Sequence, residues 1–267
     1  MKKIFLTGAS SGIGRATAQL LVEKGHEVWG TSRNVSRLPA LPRLHPVRLD
    51  MSDPASIEHA WTCATGEAGA FDVVINNAGA GHFNPAELLS PEIIHEQFQL
   101  LVFGQIQLCQ IALCSMQGRQ RGLIINVTSL AARLPVPFTA AYNAAKAAMA
   151  SFTMTMQLEL ADSPIRIVDL QPADICTEFN AAVERDNTSD PRYQQRVDRA
   201  WQVVNKNMQN APKPEIVAQR IARLITESKP PPRVTVGDTF QSVIAPMIFS
   251  LLPPRVRVWG LRRYYGI

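Results

Sequence analysis

The sequence lacks the features of a membrane-spanning, secreted or disulfide-stabilised protein. It contains no uninterrupted run of about 18 apolar residues, so a membrane-spanning helix is not expected. Only Met1, Lys2 and Lys3 precede the first apolar stretch, which is too short for a signal peptide. None of the four cysteines belongs to a CxxC pair or to a pattern typical of metal ligands. We therefore expect a cytoplasmic protein with reduced thiols and no metal.

Acidic residues are nearly absent from the C-terminal end. From residue 229 onward there are six basic residues and a single acid, Asp238. The whole chain has 27 Lys and Arg against 22 Asp and Glu, which leaves 21 of each sign for the first 228 residues. A neutral body argues against nucleic-acid binding, and the basic tail indicates a local role. With 267 residues, 46% of them hydrophobic, the chain can bury a large core as one domain.

A glycine-rich segment lies between the first predicted strand, residues 3–7, and the first predicted helix, residues 12–24. Its spacing is TGxxxGxG, which differs from the GxGxxG of many dinucleotide-binding proteins. In the order strand, glycine turn and helix, such a segment is typical of a phosphate site at a helix N-terminus. The candidate cofactor residues here are Gly8, Ser10, Ser11, Gly12, Ile13 and Gly14.

The end of the second predicted strand, residues 27–31, indicates the cofactor. NAD-binding folds tend to carry an acidic residue there for the ribose 2′-hydroxyl, whereas this chain has Ser32 and Arg33. A guanidinium next to a small hydroxyl residue favours a 2′-phosphate. We therefore expect NADP(H) in preference to NAD(H), the alternative being that Arg33 is an ordinary surface arginine.

The next two strand ends also carry candidate cofactor residues. Asp50 and Met51 follow a strand at residues 44–49, and the Asp50 carboxylate either accepts a hydrogen bond from adenine or caps the following helix. Asn77, Ala78 and Gly79 follow a strand at residues 71–75, where amides and a glycine suit both buried backbone groups and close approach of a cofactor.

The catalytic candidates are Ser129, Tyr142 and Lys146. Tyr142 and Lys146 stand one turn apart on a helix predicted from residue 140 to 161, so they share a face. A lysine cation there is expected to lower the pKa of the tyrosine toward neutrality. Ser129 follows an apolar strand at residues 122–128, and open α/β sheets bind ligands at the carboxyl ends of their strands.

Six strands alternate with helices along the chain, which predicts an α/β fold. We expect a doubly wound, Rossmann-type parallel sheet with helices on both faces, forming a single domain over residues 1–236 with a last strand at 233–236. Residues 178–214 are polar and follow a strand end at the site, so they form either a mobile substrate lid or a solvated surface helix. Residues 237–267 form an apolar and basic C-terminal extension.

Residues 1–236 closely resemble the short-chain dehydrogenase/reductase family. The resemblance rests on four motifs in their order along the chain: the glycine segment, residues 76–79, Ser129 and the Tyr142–Lys146 pair. The resemblance implies that Tyr142 donates a proton to a carbonyl or accepts one from an alcohol. It implies that Ser129 holds the substrate oxygen and that Lys146 holds the nicotinamide ribose. It also implies a homodimer or homotetramer. The residues that would line the nicotinamide carboxamide are Pro172, Ala173, Ile175 and Thr177.

Two positions depart from the family pattern. Leu101 replaces an asparagine that supports a water link to the lysine in many members, so either the relay uses backbone and water alone or activity is weakened. Ala173 replaces a glycine, a mild change if its φ is negative. We still expect an active oxidoreductase for a carbonyl/alcohol pair. A catalytically weak or idle NADP(H)-binding sensor is the competing hypothesis, with Leu101 as its best support.

The extension and the cleft residues suggest a lipophilic substrate. Candidate substrate residues are Phe83, Val136, Phe138 and Phe179. The extension resembles that of family members acting on steroids, retinoids and other lipophilic molecules. Packing of this tail on its own domain or on a partner subunit is favoured over covering the cleft, and contact with a membrane surface is less favoured still.

Overall fold

The computed structural model describes residues 1–178, 183–184 and 190–267. Within them, seven strands form one parallel sheet in the order β3-β2-β1-β4-β5-β6-β7. The strands are β1 Lys3–Leu6, β2 Glu27–Ser32, β3 Leu44–Arg48, β4 Val73–Asn76, β5 Leu123–Val127, β6 Arg166–Pro172 and β7 Arg233–Val236. The helices are α1 Gly12–Glu23, α2 Pro54–Ala68, α3 Pro91–Phe98, α4 Gly104–Gln117, α5 Ala140–Glu159, α6 Gln194–Asn210, α7 Glu215–Thr226, α8 Ala245–Leu251 and α9 Pro254–Tyr265.

Helices cover both faces of the sheet, as predicted. In β1, Phe5 packs on the side of α2, α4 and α5, whereas Ile4 and Leu6 pack on the side of α1 and α7. Both faces of the strand are therefore buried, and this explains why β1 reads as a continuous apolar run without polar alternation. The doubly wound architecture predicted from the alternation of elements is confirmed.

The strand order reverses at β1, which lies between β2 and β4. Connections from β1 and β4 therefore leave in opposite directions and open a crevice at the carboxyl ends of the strands. The segments that follow β1, β4, β5 and β6 all meet at this edge, because parallel strands end on the same side of a sheet. These are the segments in which the sequence places its candidate residues.

The helical segment from Pro91 to Gln117 is long and apolar enough to cross a membrane by length and composition. It is the only such helix among the described residues. Its inner face packs against the sheet through Leu108, Cys109 and Ala112, so the segment is a core helix of this fold. A π-helical turn, Gln99–Phe103, interrupts it at the level of Leu101.

The C-terminal extension forms two helices after β7. A π-helical turn, Phe240–Ile244, leads into α8, and α9 packs against α6. In that contact Tyr265 is buried with Val197 and Ala200, and Asn207 donates to the Tyr264 hydroxyl at 2.8 Å. The favoured prediction is that the tail packs on its own domain or on a partner subunit, and the inner side of α9 does pack on its own domain.

Candidate active site

Ser129 lies just beyond the carboxyl end of β5. Its backbone is extended and its Oγ accepts a hydrogen bond from the Ala131 amide at 3.0 Å, which starts a short 3-10 turn at Leu130–Ala132. The side chain is partly exposed at the edge of the sheet. The hydroxyl is therefore held by the turn and still faces the crevice.

Tyr142 and Lys146 occupy the first two turns of α5. Lys146 is 4% exposed, and its Nζ donates to the carbonyl oxygen of Val127, the last residue of β5, at 2.8 Å. Its Nζ lies 5.8 Å from the centroid of the Tyr142 ring. Tyr142 is partly exposed and forms a side-chain hydrogen bond with Ser129. The structure thus brings the three candidate catalytic side chains together at the end of β5.

The pKa values of this group differ from the sequence-based prediction. Burial raises the pKa of Tyr142, and the hydrogen bond with Ser129 opposes the rise. Burial lowers the pKa of Lys146 to about 8, while the Asp169 carboxylate opposes that decrease. The predicted lowering of the tyrosine pKa is therefore wrong in direction, because desolvation outweighs the hydrogen bond with Ser129 that lowers it.

The glycine segment fits a dinucleotide. Gly8 and Gly12 have positive φ values of 69° and 48°. A Cβ at Gly14 would lie 2.0 Å from the Gly8 carbonyl oxygen, so only glycine packs there. A Cβ at Gly12 would lie 3.3 Å from that of Thr177, which places the loop directly opposite the segment after β6. Ser11 makes no side-chain cap and the first turn of α1 has no acid, so its amides suit a pyrophosphate.

The two residues predicted to meet a 2′-phosphate, Ser32 and Arg33, lie at the end of β2. Ser32 is buried, and its Oγ accepts a hydrogen bond from the Asn34 amide at 3.2 Å. Arg33 is exposed immediately beyond the strand. The guanidinium is therefore free to turn toward an anion at this strand end, which lies next to the glycine segment because β2 pairs with β1.

The alternative role of Asp50 as a helix cap is wrong. Its Oδ1 accepts from the Ser52 amide at 2.9 Å, within the turn. The cap of α2 is instead Asp53, whose Oδ1 accepts from the Ala55 amide at 2.9 Å, because Asp53 directly precedes the first residue of the helix. The Met51 side chain packs in the core, so only its backbone remains to face a cofactor.

The segment after β4 is hydrogen-bonded to the residues at the start of the glycine segment. Thr7 Oγ1 accepts hydrogen bonds from the amides of Asn77 at 2.8 Å and Ala78 at 2.9 Å. The Asn77 side chain donates to the Thr7 carbonyl oxygen at 3.0 Å. Asn77 therefore has a structural role, and it fixes the distance between two loops that a cofactor would contact. Gly79 follows and is exposed.

The segment after β6 lies across the crevice from the glycine segment. Pro172 and Ile175 are buried, and the Ala173 amide donates to the Val236 carbonyl oxygen at 2.7 Å. Ala173 is not among the residues with positive φ, so alanine is accommodated in place of glycine without strain. Thr177 is partly buried and faces Gly12.

A hydrogen-bonded pair connects this segment to the C-terminal extension. Gln241 Nε2 donates to Asp174 Oδ2 at 2.8 Å, and the Asp174 amide donates back to Gln241 Oε1 at 3.2 Å. Burial raises the pKa of Asp174, and the bond from Gln241 opposes the rise. The extension is therefore attached to a loop that faces the cofactor crevice, a link that the sequence-based prediction missed.

An apolar cluster lies next to the first turn of α5 and contains three of the four predicted substrate residues. The Phe83 ring lies 5.7 Å from that of Phe138 and 4.8 Å from that of Trp201. Val136 packs on the same cluster, and its carbonyl oxygen accepts from the Asn143 side chain at 2.8 Å, next to Tyr142. The fourth predicted residue, Phe179, lies outside the described residues.

The sequence-based prediction missed the contribution of α6 and α9 to this cluster. Tyr265, Leu261 and Ile267 of the extension pack there with the inner face of α6. The signal was available in the spacing of Val197, Ala200, Trp201 and Val204, which recur at helical intervals within an otherwise polar segment. In this cluster α9 packs on its own chain, which agrees with the favoured prediction for the tail.

Leu101 is fully buried beside Tyr142. It forms a small cluster with Val102 and Ala145, against which Tyr142 packs. A Cβ at Gly79 would lie 3.2 Å from Leu101 Cδ2 and 3.9 Å from Lys146 Nζ. The leucine thus occupies the space between Gly79 and α5 with an apolar side chain, and the π-helical turn that carries it changes the direction of the local backbone carbonyls.

Comparison with known proteins is consistent with this site. The family model described as short chain dehydrogenase matches residues 2–188. A 3-ketodihydrosphingosine reductase from Bacteroides thetaiotaomicron is 31% identical over 266 residues, which cover 99% of this chain and 98% of that protein. The Carbonyl reductase [NADPH] 2 of Sus scrofa is 31% identical over 71% of this chain and 76% of its own length.

Solved structures show the same fold. The crystal structure of a short-chain dehydrogenase from Streptomyces avermitilis superposes with a TM-score of 0.84 and 26% identity, covering 98% of this chain and 96% of that one. Further solved structures of this fold are complexes with NADP or with NADH. A nicotinamide dinucleotide is therefore the cofactor class of these relatives, and both forms occur among them.

Proposed function

Because the chain belongs to the short-chain dehydrogenase family of oxidoreductases, we propose that it is an NADP(H)-dependent reductase of a lipophilic carbonyl substrate. The observation that carries this proposal is the convergence of Ser129, Tyr142 and Lys146 at the carboxyl end of β5, opposite the glycine segment. We also propose that it acts in the cytoplasm as a homodimer or homotetramer.

The proposed reaction adds a hydride and a proton to one carbonyl group. A nicotinamide dinucleotide held in the crevice would supply the hydride for the carbonyl carbon. The Tyr142 hydroxyl donates its proton to the carbonyl oxygen, and the Ser129 hydroxyl donates a hydrogen bond to the same oxygen. Lys146, held by Val127, would bind the ribose hydroxyls of the cofactor and stabilise the tyrosinate that proton transfer leaves.

The raised pKa of Tyr142 fits its proposed role as a proton donor. Because burial raises it, the phenol stays protonated at neutral pH and is ready to donate. The reverse reaction needs the tyrosinate as a base, which the buried site disfavours. Oxidation of the alcohol would therefore require a higher pH than reduction of the carbonyl.

The proposed preference for NADP(H) rests on Ser32 and Arg33. No carboxylate occurs between Glu27 and Asp50, so the end of β2 does not repel a 2′-phosphate. The test is stabilisation of the protein against heat by NADPH and by NADH, measured in the wild type and in Arg33→Gln. We expect greater stabilisation by NADPH, and loss of that difference in the variant. Equal or greater stabilisation by NADH would contradict the preference.

The proposed substrate class rests on the apolar cluster around Phe83, Phe138 and Trp201. These rings pack with the inner faces of α6 and α9, and Val136 of the same cluster is bonded to Asn143, the residue after Tyr142, so the cluster offers apolar side chains suited to an alkyl chain. Since the relative from Bacteroides thetaiotaomicron is a 3-ketodihydrosphingosine reductase, a long-chain amino ketone of that kind is the first substrate to test, followed by other long-chain ketones.

Tyr142→Phe tests the catalytic assignment, because it removes the proton donor and keeps the ring. We expect NADPH oxidation with a long-chain ketone to fall by about a hundredfold to ten-thousandfold. Stabilisation by NADPH should be retained, which shows that the variant folds and binds cofactor. Turnover equal to that of the wild type would contradict the role of Tyr142.

A second candidate function is an NADP(H)-binding sensor with little catalysis, which the burial of Leu101 beside Tyr142 favours. It predicts that the wild type and Tyr142→Phe both bind NADPH and that neither oxidises it with any carbonyl. The reductase proposal predicts a large difference between the two proteins, so one assay separates the functions.

A further inference from the structure

The C-terminal extension exposes an apolar stripe that none of the other residues described in the structure covers. Six side chains along the helical segment 240–251 are exposed at intervals of three and four residues, so they lie on one face. They are Phe240, Val243, Ile244, Met247, Ile248 and Leu251. Met247 is 58% exposed and Leu251 is 81% exposed, and the opposite side of the segment carries the buried Pro246.

A second exposed stripe on α9 combines apolar and basic side chains. Val258 and the indole of Trp259, 63% exposed, line a shallow surface depression together with Arg255, Arg262 and Arg263. No acidic side chain lines this depression, and none occurs in residues 239–267. The surface of the extension is therefore both apolar and positively charged.

Arg257 fixes the corner between the two stripes. Its guanidinium donates to the carbonyl oxygens of Leu252 at 2.7 Å and Ser250 at 2.8 Å, at the end of α8. The Cζ atom also lies 5.2 Å from the centroid of the Phe249 ring. These contacts hold α8 and α9 as one unit. The apolar side chains on the outer side of α8 and the basic side chains on the outer side of α9 therefore stay exposed to solvent.

We propose that this surface docks the protein on an anionic lipid bilayer. Helices with an apolar face next to arginines and an aromatic residue bind in the plane of the bilayer interface, where apolar burial and attraction to anionic headgroups act together. A second copy of the chain fits the α9 stripe less well, because isologous pairing there would bring the arginines of both copies together without acids between them.

Docking would place the apolar cluster next to the source of a lipophilic substrate. The inner side of α9, through Tyr265 and Leu261, packs on the cluster beside Tyr142. The outer side of the same helix carries Trp259 and the arginines. Membrane docking does not depend on the proposed reaction, so either conclusion can fail without the other.

Vesicle co-sedimentation of the full chain tests the proposal. The probes are vesicles of phosphatidylcholine alone and vesicles of phosphatidylcholine mixed with phosphatidylglycerol. We expect binding to the mixed vesicles to exceed binding to the neutral vesicles by about tenfold or more, and to weaken as salt is raised. Wild-type protein that stays in the supernatant with both kinds of vesicle would overturn the proposal.

Three variants identify the surface. Met247→Glu/Leu251→Glu and Arg255→Glu/Arg262→Glu should each reduce binding to the mixed vesicles by about tenfold or more. The control is Leu158→Glu in α5, which changes a residue 73% exposed on another element and should bind as the wild type does. Thermal unfolding of all three, with and without NADPH, verifies that they fold.

The oligomeric state of the same variants tests the competing occupant. Light scattering after size exclusion should give one mass for the wild type and for Met247→Glu/Leu251→Glu. Two outcomes would show instead that the surface is an interface between copies and that the membrane proposal is wrong. In both, Met247→Glu/Leu251→Glu has a smaller mass than the wild type. In addition, either the variant binds vesicles as well as the wild type does, or the wild type binds none.

Discussion

The ammonium of Lys146 is bonded to the carbonyl oxygen of Val127 at 2.8 Å, and its Nζ stands 5.8 Å from the centroid of the Tyr142 ring. The last residue of β5 therefore positions the lysine, while Ser129, two residues further along, contacts the tyrosine. The end of β5 thus positions both Lys146 and Ser129 beside Tyr142, the candidate proton donor.

Because Lys146 is buried, we expect the free energy of unfolding to rise with pH in the alkaline range. Its pKa is lowered from the ordinary 10.5 to about 8, so between these values the folded lysine loses its proton while the unfolded lysine keeps it. The unfolded state then binds more protons, and the free energy of unfolding increases across this window by about 3 kcal/mol. Below pH 8 both states are protonated and the folded state bears the full cost of burying the charge.

The measurement is denaturant unfolding from pH 7 to pH 10.5 for the wild type, Lys146→Met and Lys24→Met. The rise should be present in the wild type and in Lys24→Met, which changes an exposed lysine, and should be absent in Lys146→Met. Parallel profiles for the wild type and Lys146→Met would contradict the lowered pKa.

Replacing glycine by alanine should have opposite effects on stability at Gly14 and at Gly66. A Cβ at Gly14 would lie 2.0 Å from the Gly8 carbonyl oxygen and 2.6 Å from the Asn77 side-chain nitrogen, so Gly14→Ala must displace the glycine segment. Gly66 lies within α2 and a Cβ there meets nothing within 4 Å. We expect Gly14→Ala to destabilise by about 2 kcal/mol or more and to abolish stabilisation by NADPH.

Gly66→Ala is the matched control and should stabilise the protein by about 0.5–1 kcal/mol, since alanine is the better helix former. Urea unfolding of both variants measures the two effects. A Gly14→Ala variant as stable as the wild type, with its response to NADPH intact, would show that the segment tolerates a side chain.

The sequence predicted the architecture because each strand and helix carries its own local signal. The apolar runs and the glycine segment specify strands and turns within a few residues, and β7 occurs at residues 233–236 as predicted. Ser129, Tyr142 and Lys146 could be placed together because parallel strands end at one edge of a sheet. Such arguments depend on order along the chain and need no side-chain geometry.

What the sequence did not predict depends on contacts between distant residues. The direction of the Tyr142 pKa was predicted wrongly because spacing on a helix shows the neighbouring lysine but not the burial of the phenol. Similarly, the pairing of Asp174 with Gln241 joins residues 67 positions apart and has no local pattern. The role of α6 was missed because its apolar stripe is short and lies within a polar segment.

Because Leu101 is buried among apolar side chains, we expect its replacement by asparagine to change stability more than catalysis. Leu101→Asn introduces the amide that many family members have, but it places it in an apolar cluster with Val102 and Ala145. We expect a loss of about 2–3 kcal/mol in stability because the amide is desolvated. We expect kcat to stay within about an order of magnitude of the wild type, because the backbone of the π-helical turn is retained.

Leu101→Met is the control for this position, and its nearly equal volume should limit the destabilisation to about 1.5 kcal/mol or less. Steady-state kinetics with a long-chain ketone and denaturant unfolding are measured on both variants. A Leu101→Asn variant with a much higher kcat than the wild type would show that the missing side chain limits catalysis, as the sensor hypothesis requires.

Phe138 has a left-handed backbone, with φ of 63°, in the segment between Ser129 and Tyr142. Its carbonyl oxygen accepts a hydrogen bond from the Asn84 amide at 2.6 Å, and its ring contacts Phe83. A bulky residue in this conformation is strained. The contacts of the apolar cluster and the Asn84 bond therefore hold Phe138 where glycine would be favoured.

This geometry predicts that Phe138→Gly is more stable than Phe138→Ala by about 1 kcal/mol, although alanine is normally the more stable residue. Both variants remove the ring and should raise KM for a long-chain ketone, with little change for a short one. At Phe249, which lies in the helix α8, the order should reverse, so that Phe249→Ala is more stable than Phe249→Gly. Urea unfolding of the four variants gives both comparisons, and an alanine preference at position 138 would show that its backbone is not left-handed in solution.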